Sequence, residues 1–143
     1  MRIKLPADVH SEISRLSAAG DTLARQKDFA GALCEYERAW ALLPDPKDQW
    51  EAAVWLLAAI GDALFLNLRY EEACEVFGHA LAEGAGAQGN PFLHLRRGES
   101  LFECGDRRAA ADELMRAYMG AGVEIFRTED PKYLRYLRTV ADL

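Results

Sequence analysis

Apolar and small residues return along this chain at helical spacing rather than at the alternation of a strand. The same set comes round three times. Aligned on Gly20, Gly61 and Gly98, each copy has a Leu three positions on (Leu23, Leu64, Leu101) and an Ala twelve positions on (Ala32, Ala73, Ala110). A bulky apolar residue follows four further along (Tyr36, Phe77, Leu114), and a second Ala three after that (Ala39, Ala80, Ala117). Gly and Ala let two helix axes approach, while the Leu and the rings fill the flanking grooves. Each copy therefore predicts a helical hairpin. The turns are expected at Gln26-Lys27-Asp28-Phe29, Leu68-Arg69-Tyr70 and Cys104-Gly105-Asp106.

Helix starts are signalled at Asp45-Pro46, Asn90-Pro91 and Asp130-Pro131, where an Asp or Asn precedes Pro at the first helical position. The last of these opens a segment, residues 131–142, whose Leu134, Leu137 and Ala141 form one apolar stripe suited to covering the end of a stack. Seven helices and no strand are expected. The fold class is all-α: three hairpins plus a C-terminal capping helix, in a single domain spanning 1–143.

Gly20, Ala32, Tyr36, Ala39 and Pro44 sit at the offsets of a tetratricopeptide repeat, and the chain resembles that family over frames 13–46, 54–87 and 91–124. The second and third frames have Ala85 and Gly122 where the family's closing Pro would stand. The resemblance implies a right-handed superhelical stack whose first helices line a concave surface. Gly20 to Gly61 and Gly61 to Gly98 are wider than the family's 34-residue period. The first excess, Lys47 to Ala53, equals two helical turns and is expected to lengthen the following helix without rotating its stripe of Trp50, Val54, Leu57, Gly61 and Leu64. The second excess falls in the flexible run from Gly84 to Gly89.

Composition fits this picture. Only twelve residues are Val, Ile or Thr. The net charge of −6 lies entirely in residues 1–90, which carry eight Lys and Arg against fourteen Asp and Glu. Such a field repels phosphate backbones and attracts basic partners, so the expectation is a protein partner with a basic surface and no nucleic acid. Cys34, Cys74 and Cys104 are widely spaced with no CxxC pair, which argues for a reducing compartment and against a disulfide framework or a zinc site. Cys104 is expected to be buried or half-buried. The segment from Met1 to His10 has no apolar run of signal-peptide length, and no window approaches a membrane span, so a cytoplasmic chain with no membrane partner is expected.

No constellation asks for catalysis or a cofactor. His10, His79 and His94 lack a second His or Cys at metal spacing, and the Gly84–Gly89 run lacks the Lys-Ser or Lys-Thr of a phosphate loop. The more informative set lies on the first helix of each hairpin. An acid follows each Gly: Asp21, Asp62 and Glu99. Within one turn or two of them stand Arg25, Trp55, Phe65, Phe92 and Phe102, together a candidate partner-binding face. Acids beside large rings suit a partner that presents Lys or Arg on an apolar segment. The same rings also fit packing between hairpins. Trp40, Trp50 and Trp55 are open to both core and binding-ridge readings, with Trp50 assigned to the core.

Family members that grip chaperone tails carry Lys and Asn where these acids stand, so that job is not expected. The ending Ala117–Gly122 followed by Glu129–Leu134 looks like that of small bacterial tetratricopeptide proteins, some of which are immunity partners of secreted toxins. The resemblance thus implies a non-catalytic immunity protein, with a secretion or assembly chaperone as the alternative.

Overall fold

A computed structural model describes residues 4–84 and 86–143; Met1 to Ile3 of the expected leader-free start and Ala85 at the second frame's closing position lie outside them. Among the described residues there are seven α-helices and no strand. They are α1 (Ala7–Arg25), α2 (Phe29–Ala41), α3 (Glu51–Leu66), α4 (Tyr70–Glu83), α5 (Pro91–Glu103), α6 (Arg107–Ala121) and α7 (Pro131–Val140). Short 3-10 turns stand at Lys47–Gln49, Ala87–Gly89 and Val123–Phe126. Helices pair within hairpins as α1–α2, α3–α4 and α5–α6, each hairpin packs on the next through α2–α3 and α4–α5, and α7 lies on α6.

One packing device holds all three hairpins. A Cβ added at Gly20 would stand 2.4 Å from the Tyr36 ring, one at Gly61 2.7 Å from the Phe77 ring and one at Gly98 2.8 Å from Leu114 Cγ. The missing Cβ is what lets the large side chain of the second helix lie on the first. All six repeated alanines, at 32, 39, 73, 80, 110 and 117, are completely buried. Burial of Leu16, Phe77, Leu93, Leu114 and Leu137 completes the core, at about 1.5–3 kcal/mol for each large apolar side chain.

The three turns are also one device. Lys27, Leu68 and Gly105, each seven residues after its glycine, all have positive φ, at 63°, 63° and 88°. In each hairpin the next amide bonds back to the repeat Leu: Asp28 N–H to Leu23 O, Arg69 N–H to Leu64 O and Asp106 N–H to Leu101 O, at 2.9, 2.9 and 3.0 Å. This is the Schellman ending, in which a left-handed residue closes one helix and frees the chain to start another. Asp28 and Asp106 then cap α2 and α6 by accepting from Gly31 N and Ala109 N, whereas Arg69 offers α4 no side-chain cap.

Asn90-Pro91 and Asp130-Pro131 open α5 and α7 as expected, with each Asx side chain accepting an amide from the second helical residue. Asp45-Pro46 does not open a helix. Pro46 precedes the isolated 3-10 turn, and Trp50 is extended (φ −91°, ψ 140°) before α3 begins at Glu51. Only three of the seven inserted residues therefore extend α3, which corrects the expected two-turn lengthening. The physical reason lies in two side chains. The Trp50 indole is buried and donates to Pro44 O at 2.7 Å, and the Lys47 ammonium donates to Leu43 O at 2.6 Å and Trp40 O at 3.2 Å, covering carbonyls at the end of α2. The insert thus ties α2 to α3 rather than prolonging α3. The capping helix ends at Val140, two residues before the expected Asp142, and Cys104 is exposed rather than buried.

Candidate functional site

The acids that follow the three glycines have three different fates. In the first hairpin the Tyr36 ring crosses Gly20 and its hydroxyl donates to Asp21 Oδ1 at 2.6 Å, while the Asp21 side chain stays at the surface. Burial, followed by the hydrogen bond and charge of Asp21, raises the Tyr36 hydroxyl above its ordinary pKa, so it remains a donor. The residue equivalent to Tyr36 in the second hairpin is Phe77, which has no hydroxyl. Asp62 instead accepts from Arg96 Nε of α5 at 2.7 Å.

Glu99 does not reach a groove at all: it is completely buried. Arg96 Nη1 donates to Glu99 Oε1 at 2.9 Å and also to Glu129 Oε1, which comes from the segment before α7. Arg96 lies over the Phe65 ring at 4.7 Å from its centroid and over Phe92 at 5.5 Å. One guanidinium is therefore shared by three acidic side chains and two rings. Burial would lower the Arg96 pKa, but Asp62, Glu99 and Glu129 outweigh it and the guanidinium stays charged. Burial drives Glu99 the other way, pushing it up to about 9 against the pull of Arg96 and with the help of Glu129. Glu99 Oε2 is buried without a donor. A hydrogen bond between Glu99 and Glu129 also favours the protonated acid, so burial and Glu129 act together to keep Glu99 neutral.

Phe65 is buried within this assembly. Phe102 is covered by α7, with the Tyr133 and Tyr136 rings 5.4 and 5.3 Å away and the Arg107 guanidinium 3.7 Å above it. Lys132 of α7 bonds Glu103 at 2.6 Å, and the Tyr136 hydroxyl donates to Arg107 O at 2.7 Å. Three members of the expected face, Phe65, Glu99 and Phe102, are thus committed to holding the C-terminal segment. Large aromatic surface at helical spacing serves core and groove equally well, and the presence of α7 decides between them here.

The remaining members stay together on the other side. A cleft of about 200 Å³ is lined by Asp21 and Ala24 of α1, Ala58, Ala59, Asp62, Ala63 and Leu66 of α3, Phe29 and Tyr36 of α2, and Phe92 of α5. Trp55, one turn before Ala58 and Ala59 on α3, is 65% exposed, and Phe92 is 38% exposed. Arg25 is exposed on α1 and donates to the Thr22 hydroxyl one turn back. Small alanines, aromatic rings and two carboxylates thus share this cleft.

The residues missed from sequence are Arg96 and Glu129. Arg96 and Glu99 are spaced i, i+3 on one helix, which is a visible pairing signal. Glu129 carries no such signal, because its approach depends on how the chain turns after Gly122. His94 is also more structured than its isolation suggested. It is buried, its Nδ1 lies 2.7 Å from Glu113 Oε2 and its Nε2 lies 2.6 Å from Gln88 O. A carbonyl only accepts, so Nε2 carries a hydrogen, and the contact serves to pin the Ala87–Gly89 turn to α5 and α6. Among the described residues no group of three His, Cys, Asp or Glu could hold a metal ion, and no helix is long and apolar enough to cross a membrane.

No protein-family model matches this chain, and no curated protein shows significant similarity to it.

Proposed function

We propose that this protein is a non-catalytic protein-binding module of the tetratricopeptide type, and that it serves as an immunity partner that neutralises a basic toxin by binding it as a folded protein. The observation that carries this is the open, acid-rimmed cleft between α1 and α3 with Trp55 standing exposed beside it. A large exposed indole next to a concave apolar surface is the chemistry of an interface anchor. The charge agrees, since the whole acidic excess lies in residues 1–90, the part that builds most of this face.

A cleft of about 200 Å³ takes one or two side chains of a partner, as the anchor point of a larger interface does. Co-expression with the product of the neighbouring open reading frame tests the reading. The expected results are rescue of cells from that product's toxicity and a one-to-one complex weakened at least tenfold by Trp55→Ala, the size of a hot-spot loss. A neighbour that is harmless when expressed alone, or a complex indifferent to Trp55→Ala, rules the reading out.

A further inference from the structure

The molecule displays, in its own Arg96, how the side chains of this face hold a guanidinium. Phe92 lies under that group and Asp62 accepts from its Nε. Both residues also line the cleft between α1 and α3, where Asp21 supplies a second carboxylate. The lining residues include no Lys, Arg or His, while Arg96 bonds Asp62 and Arg25, one turn along α1 from Asp21, acts on the Tyr36 hydroxyl. The walls between the acids are apolar: Ala24, Ala58, Ala59 and Leu66.

We infer that this cleft receives one arginine side chain of the partner, carried on an apolar segment, with Asp21 and Asp62 as its counter-charges, Phe92 as the ring it lies on, and Trp55, one turn from Ala58 and Ala59 on α3, meeting the apolar residues beside it. The arrangement extends the internal pairing by one position. Arg96 bonds Asp62 and Glu129 together, and the incoming arginine meets Asp62 and Phe92 within the cleft that Asp21 also lines. Asp21 is held for the purpose, because the Tyr36 hydroxyl fixes one of its oxygens from behind. A guanidinium fits better than an ammonium, since its flat face lies on a ring while its edge meets carboxylates. The inference rests on the protein-binding reading for the origin of the arginine, but the cleft can be tested without the partner.

The probe is the tripeptide acetyl-Leu-Arg-Leu-amide, titrated into the full-length 15N-labelled protein, with the citrulline analogue as a neutral control of the same shape. Amide shifts are expected at Ala24, Ala58, Ala59 and Ala63, with the Trp55 indole moving too. The arginine peptide should bind about three- to fivefold tighter than the citrulline one, the worth of an exposed ion pair, and lose that margin in high salt. Asp21→Asn should erase most of the difference while leaving the fold intact, because the Asn carbonyl still accepts from Tyr36. Equal affinity of the two peptides, shifts confined to another surface, or no shifts at millimolar peptide would each overturn the inference. A partner complex that needs Trp55 while the peptide fails would leave the binding reading standing and remove only the arginine. Peptide binding without any partner complex would do the reverse.

Discussion

The two sides of the Asp62–Phe92 wall begin from the same sequence signature and end in opposite states. Toward α7, acids and rings close around Arg96, and Glu99 and Phe65 vanish from the surface. Toward α1, the same kinds of residue stay open around a cleft with Trp55 exposed at its edge. Two local differences decide this. Tyr36 holds Asp21 from within its own hairpin, whereas Phe77 leaves Asp62 free to reach Arg96, and the segment carrying Glu129 covers only the α5 end. An acid after a repeat glycine is therefore not a functional marker by itself. It turns inward at Glu99, pairs with the next hairpin at Asp62 and stays at the surface at Asp21.

The strongest way to break the comparison is to empty the closed side. Arg96→Ala removes the cation that Asp62 and Glu129 share, beside the buried Glu99. Removing one partner of a buried ionic group costs about 3–5 kcal/mol, because the remaining charges stay desolvated. Urea unfolding should register a loss of that size, with Arg96→Lys intermediate because a single ammonium cannot serve the same fork of acceptors. A loss under about 1 kcal/mol would mean that apolar packing alone holds the closed side.

A smaller effect, of opposite sign, follows from Glu99. Its pKa in the folded protein is about 9, against an ordinary value of 4.5. The folded state thus holds a proton that the unfolded chain releases, so this group's contribution is fully favourable below about pH 4.5 and is lost progressively as pH rises toward 9. Glu99→Gln removes the titration while keeping a donor for Glu129. The variant should match the parent near pH 4.5 and exceed it at pH 8 by something on the order of 1–2 kcal/mol, shared as the titration is with Arg96 and Glu129. Melting temperatures at the two pH values check this, and a variant less stable at pH 8 would show that Glu99 is ionised when folded.

How much of this was legible in the sequence depends on the range of each contact. Gly20 with Tyr36, Gly61 with Phe77 and Gly98 with Leu114 lie at one fixed separation, so the hairpins could be read from residue types alone. The turn positions followed from the same periodicity, although nothing in Lys27 or Leu68 announced a left-handed residue. The insert departs from the expected lengthening because helical arithmetic does not encode the bonds of Trp50 to Pro44 O and of Lys47 to the end of α2. In the sequence the candidate face forms one column because its members share a helical face. Its division needed Glu129, whose 33-residue separation from Arg96 no local pattern encodes.

The open side should show the smallest effect on stability. Trp55 is 65% exposed, and Asp21 keeps its Tyr36 contact when replaced by Asn. Trp55→Ala and Asp21→Asn should each change unfolding free energy by no more than about 0.5 kcal/mol, as surface substitutions away from buried networks do. The contrast is sharp because Trp is a poor choice for an exposed helical position unless something uses it: it gains little in folding and adds apolar surface that water must cover. If Trp55→Ala instead destabilised the chain by 2 kcal/mol or more, a core-sized loss, the indole would be supporting the fold and the open side would lose its best claim to a partner.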